Sequence, residues 1–115
     1  MEIRLIVIRT PNPQALSEFY ALLGLQFVYH KHGNSPYHYS ASIGTFILEI
    51  YPLSRDQPVA DKHLRIGFTL DNFDAIIEIL KQKKVHFVSD AKQTDFGLLA
   101  IIQDPDKRRI ELYKK

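Results

Sequence analysis

Apolar positions in this chain come in short runs rich in β-branched and aromatic residues, interrupted twice by runs with helical spacing. Ile3 to Arg9 is rich in Ile and Val and alternates only weakly, which predicts a strand buried on both faces. Thr10-Pro11-Asn12-Pro13 stops it. Asn12 suits a helix N-cap, and Pro13 falls at the first helical position, where its missing N–H is harmless. Ala15, Leu16, Phe19, Tyr20, Leu22 and Leu23 give the stripe of a helix that Gly24 ends. Strands are predicted over Leu25 to His30, Tyr37 to Ile43 and Thr45 to Tyr51, with Gly33-Asn34 and Gly44 at the turns. Leu53 to Lys62 is polar, contains Pro58 and has linker character. The same order then returns. Leu64 to Leu70 reads as a strand. Asp71-Asn72 caps a helix striped with Phe73, Ile76, Ile77, Ile79 and Leu80. Val85 to Val88, Gly97 to Gln103 and Arg108 to Tyr113 read as strands, with a turn at Asp104-Pro105-Asp106-Lys107.

This is one pattern written twice. LEIY at 48–51 and IELY at 110–113 place single carboxylates, Glu49 and Glu111, 62 residues apart inside apolar strands. A shift of 60 aligns Asn12 with Asn72, Ala15 with Ala75, Glu18 with Glu78 and Phe27-Val28 with Phe87-Val88. A repeat of this length implies pseudo-symmetry. The expected fold is α+β, a single domain of two tandem βαβββ modules forming a cup-shaped mixed sheet with helices on its outer face. Module one spans 1–52, the linker 53–63 and module two 64–115.

Alternation assigns the faces. An isolated charge in an apolar strand has to be paired, coordinated or open to water, so Glu49 marks the open side together with Ile47 and Tyr51. His38, Ser40 and Ser42 share that side, as do Leu5, Val7 and Arg9. In the second module Arg65, Gly67, Thr69, Arg109, Glu111 and Tyr113 do the same. The expected cavity has a few polar groups on apolar walls, the usual character of a small-molecule pocket.

Composition narrows the classes. At 115 residues, 45% apolar and 24% charged, the chain is an ordinary globular domain. It has no cysteine, hence no disulfide, thiolate nucleophile or thiolate metal site. No apolar run approaches the ~20 residues of a membrane span, and Glu2, Arg4 and Arg9 spoil the N-terminus as a signal peptide, so a cytoplasmic protein is expected. A net charge of +2 without interleaved aromatics gives no argument for nucleic acid. The one basic cluster, Lys107-Arg108-Arg109, reads as a solvated turn tip.

With these features the sequence resembles the vicinal oxygen chelate superfamily, which includes glyoxalase I, the bleomycin- and fosfomycin-resistance proteins and the extradiol dioxygenases. The resemblance covers essentially the whole chain. It rests on the paired βαβββ order, FYALLGLQFV at 19–28, FILEIYP at 46–52, RIGFTLDN at 65–72 and DPDKRRIEL at 104–112. The family's turn usually has glycine where this chain has Lys107. Metal-dependent relatives of glyoxalase type take one ligand from each of four strands. Carried over, those positions fall on Leu5, Glu49, Arg65 and Glu111. Glu49 and Glu111 can coordinate, but Leu5 has no donor and Arg65 has a fixed positive charge and no lone pair. The family metal site therefore reads as lost, with Arg65 between the two glutamates in place of an ion.

Ligand-binding candidates are His38, Ser40, Glu49, Tyr51, Arg65 and Glu111. His38 reads as a substrate contact, a general base or a replacement ligand, or as a histidine simply hydrogen-bonded to Glu49. His30-x-His32 is a possible ligand pair, but it reads more simply as the end of an exposed strand. The resulting expectation is a small-molecule-binding protein of bleomycin-resistance type with no cofactor. The alternative is a glyoxalase-like lyase, isomerase or dioxygenase using His38 and Glu49, or an atypical divalent metal such as Zn, Ni, Mn or Fe. Family members are usually homodimers. A symmetric dimer burying more than roughly 1,000 Å² in total is expected, and light scattering at micromolar concentration checks it.

Overall fold

The first half of the repeat builds one sheet and one helix. In the computed structural model, which describes all of residues 1–115, the chain divides into two units, residues 1–60 and 61–115. The first contains β1 (Leu5–Thr10), α1 (Pro13–Ala21), β2 (Val28–His30), β3 (His38–Ile43) and β4 (Phe46–Pro52). Its strand order is β1-β4-β3-β2, with β1 parallel to β4 and the other pairs antiparallel. Parallel pairing of β1 with β4 needs a crossover, which the intervening helix and hairpin supply. The Asn12 side chain accepts the Ala15 N–H at 3.1 Å, as a cap should. Leu16, Phe19, Tyr20 and Leu23 from the helical segment are buried with Ile8, Ala41, Leu48 and Ile50 from the sheet.

The second unit repeats the plan with β5 (Ile66–Leu70), α2 (Phe73–Gln82), β6 (Phe87–Thr94), β7 (Gly97–Gln103) and β8 (Arg109–Lys114), in the order β5-β8-β7-β6. Phe73, Leu80, Ala100, Ile102, Ile110 and Leu112 are its core. The shift of 60 is visible in the backbone. Gly24, after α1, has φ 105°, and Lys84, after α2, has φ 59°. Both helices end in the left-handed conformation, which glycine adopts freely and lysine adopts at a cost.

Four expectations are corrected. β1 is not buried on both faces: Ile8 is 1% exposed, but Leu5 is 53% and Val7 is 37% exposed. β2 is confined to three residues, because β2 is an edge strand and 25–27 find no ladder partner. β6 runs on through the polar stretch to Thr94 with two register shifts; charged, bulged strands are usual at a sheet edge and carry no hydrophobic signal. Arg108 is not a solvated tip. It is 1% exposed, and its guanidinium lies 3.1 Å from the buried Asp104 carboxylate and 3.0 Å from Asp106. Asp104 also accepts the backbone N–H groups of Asp106 and Arg108, so this turn is held by a buried carboxylate. Asn72 stands at the N-cap of α2 but makes no side-chain capping bond.

The same turn holds Lys107 at φ 73°. Lys107→Gly is expected to raise unfolding stability by up to about 1 kcal/mol, since the left-handed conformation costs a side-chain-bearing residue about 1–2 kcal/mol and glycine's larger unfolded-state entropy returns part of that. Arg108→Ala removes the guanidinium that faces the buried Asp104 carboxylate and is expected to cost ~3–5 kcal/mol. Urea denaturation of both variants measures these effects.

Candidate functional site

Strand register puts the open face of the first sheet in three rows. Leu5, Ile47 and Ser42 form one row, and Val7, Glu49, Ser40 and Val28 the next. In the third, Arg9 is paired with Tyr51 and His38 with His30. Cross-strand partners point to the same face, so the two-residue period read from the sequence holds across all four strands. Val28, His30, Ser40 and Ser42 line a groove of about 560 Å³ together with Gly24, Leu25 and Gln26.

Glu49 is the centre of this face. It is only 6% exposed, in the middle of the apolar run of β4. Three histidines surround its Oε2. The Nε2 atoms of His38, His32 and His30 lie 3.2, 3.5 and 3.8 Å away. The rings pack on one another with centroids 4.5 to 5.0 Å apart. His38 is fully buried and donates from Nδ1 to the Pro36 carbonyl at 3.0 Å. Its other face stacks on Tyr51 at 4.1 Å and 10°, and the Arg9 guanidinium sits 5.0 Å from that tyrosine ring. His32 lies in the β2–β3 loop. The loop is closed by two reciprocal bonds, His32 N–H to Ser35 Oγ at 2.9 Å and Ser35 N–H to the His32 carbonyl at 2.8 Å. Tyr29 packs against Tyr37 and Tyr39 at 5.1 and 4.6 Å, fixing the same hairpin.

The second sheet answers its equivalent carboxylate differently. Glu111 Oε2 accepts from Arg65 Nη2 at 2.7 Å, and Oε1 accepts from the Tyr113 hydroxyl at 2.6 Å. Gly67 faces Tyr113, where a Cβ would come within 3.2 Å of the ring. The hydrogen bond to Glu111 raises the Tyr113 pKa above its ordinary 10.0, with burial and the carboxylate charge adding and Arg65 opposing. Arg65 and Arg109 line a basic groove of about 550 Å³ with Lys62, His63, Gln103 and Lys107.

A family model described as the Glyoxalase/Bleomycin resistance protein/Dioxygenase superfamily matches residues 2–112. The chain belongs to this superfamily. No curated protein matches its sequence. Among solved structures it is similar to TnmS3, described as an antibiotic binding protein from Streptomyces sp. CB03234, at TM-score 0.80 and 19% identity, covering 99% of this chain and 95% of that one. It is also similar to the oxidase ChaP-H2, at TM-score 0.79 and 16% identity, covering 100% and 94%. A third is an integron cassette protein from the mobile metagenome of V. cholerae, at TM-score 0.75 and 16% identity, covering 99% and 94%. At these identities the likeness is one of fold.

The positions onto which the superfamily's metal ligands carry over do not fit an ion. Leu5 offers no donor, Arg65 brings a positive charge, and Glu111 already engages Arg65 and Tyr113 through its two oxygens. Sequence reasoning placed His38 beside Glu49 and Arg65 between Glu49 and Glu111; Arg65 pairs with Glu111, whereas Glu49 takes histidine partners. That reasoning read His30 and His32 as a strand end, whereas both rings return to Glu49. The signal was present: three histidines within nine residues, with His30 directly across the hairpin from His38 and His32 in the loop between them.

Glu111→Gln removes the charged acceptor from Tyr113. Its pKa is expected to fall back toward 10.0, read from the tyrosine Cζ resonance during a pH titration. Because the folded-state value is the raised one, this pair's contribution to stability is complete below pH ~10 and declines as pH rises through the folded pKa.

Proposed function

We propose that the protein binds a small organic molecule on the open face of its first sheet. The observation that carries this is the groove beside His30 and Ser40, where exposed apolar side chains meet a few converging polar groups. Val28 is 62% exposed at its edge, and Leu5 and Ile47 extend the same face at 53% and 40%. Tyr51, which stacks on the buried His38, supplies flat aromatic surface and Ser40 a hydroxyl, which suits a planar, mainly apolar ligand with hydrogen-bonding substituents. TnmS3, an antibiotic binding protein by its description, supports a binding role for this architecture. On the second sheet, Arg65 is oriented by Glu111 and nearly half exposed, so it can also take a carboxylate or phosphate.

A second reading, a glyoxalase-like lyase or isomerase, is favoured by the 3.2 Å contact of His38 with Glu49, which has the reach of an acid–base pair. Backbone-amide NMR during a screen of planar natural products and small metabolites tests both. Binding is expected to shift the amides of Val28, His30, Ser40 and Ser42, and Val28→Asp is expected to weaken it at least tenfold without lowering Tm. Shifts confined to other regions, or no hits, would refute the binding site. Product formation lost in His38→Asn would favour the enzyme.

A further inference from the structure

We propose that His30, His32, His38 and Glu49 form a binding site for one borderline divalent transition metal ion, with Zn²⁺ the ion that suits it best. One ligand atom from each residue can be chosen so that all four lie within 4.8 Å of one another. A tetrahedral zinc with bonds of about 2.0–2.1 Å holds its ligand atoms about 3.3–3.4 Å apart. The three histidine nitrogens lie 3.2, 3.5 and 3.8 Å from Glu49 Oε2, so modest side-chain contraction closes the set around an ion.

Hydrogen bonding argues the same way. His38 donates from Nδ1 to the Pro36 carbonyl. In the neutral imidazole this leaves a lone pair on Nε2, aimed at a carboxylate oxygen 3.2 Å away. Two acceptors facing each other need a cation or a proton between them. A backbone carbonyl on the remote nitrogen is also how metal-bound histidines are usually oriented. His30 Nε2 is buried, faces the same carboxylate and has no hydrogen-bond partner. An ion satisfies both atoms at once. Three borderline imidazole nitrogens outnumber one hard carboxylate oxygen, a set that selects zinc, nickel, cobalt or copper over calcium or magnesium. His32, at 61% side-chain exposure, is the entrance.

This site shares only Glu49 with the positions carried over from the superfamily. It lies within one module, and it stands whether or not the neighbouring groove binds an organic ligand.

The test uses tag-free protein stripped with chelator, then titrated with Zn²⁺ by calorimetry and with Co²⁺ by visible absorption. The expected result is one ion per chain, intense d–d bands from low-coordinate Co²⁺, and a Tm that rises with the logarithm of free Zn²⁺. His32→Ala alters an exposed loop residue and should leave the fold intact while lowering affinity at least tenfold. Glu49→Gln should lower it further. His63→Ala and His86→Ala, outside the cluster, should change nothing. Absence of stoichiometric binding overturns the proposal. So does binding that survives His32→Ala and Glu49→Gln, or that is lost with His63 or His86.

Discussion

A carboxylate in the middle of an apolar strand sets the terms for the first half of this protein. Glu49 is almost removed from water, yet its register keeps Leu48 and Ile50 in the core on either side. It can be neither turned outward nor exchanged for a neighbour without moving the whole strand by one position. The surroundings have adapted instead. The β2–β3 hairpin brings three imidazoles against one carboxylate oxygen, and Ser35, Pro36 and the tyrosine stack hold that hairpin in place. Across the same open face the character changes within three rows, from Leu5 and Ile47 at one end to Arg9, Tyr51, His38 and His30 at the other. That gradient from greasy to polar underlies the proposed binding role.

The two modules share a scaffold and differ in chemistry. Glu111 occupies the position of Glu49 but is more accessible, with a guanidinium and a phenol as its partners in place of imidazoles. The phenol fits because position 67 carries no side chain. The backbones match down to the left-handed residue after each helix, although that residue is glycine in one copy and lysine in the other. Strand alternation and the helix-packed faces recur in both copies, whereas the partners of the open-face carboxylate differ between them.

This difference explains what could be read from the sequence. The order of elements and both helix-packed faces were legible, since Leu16, Leu80, Ile110 and Leu112 repeat with the periods that burial imposes. The edges were not. β6 runs on through polar residues because its ladder bonds come from the backbone, and Arg108 is buried because Asp104 and Asp106 happen to meet it, a match no hydrophobic pattern records. In the site, alternation gave His38 its neighbour Glu49. The return of His32 depends on a serine closing a loop, and a period of two says nothing about a loop.

The three histidines and Glu49 fall between residues 30 and 49, in one sheet and its β2–β3 loop. Once the first sixty residues have emerged from a ribosome the whole cluster is outside it, before the second module has fully emerged. The contacts around Glu49 tie the β2–β3 hairpin to β4 within that one half, so they are local to a single βαβββ module and need nothing from the other.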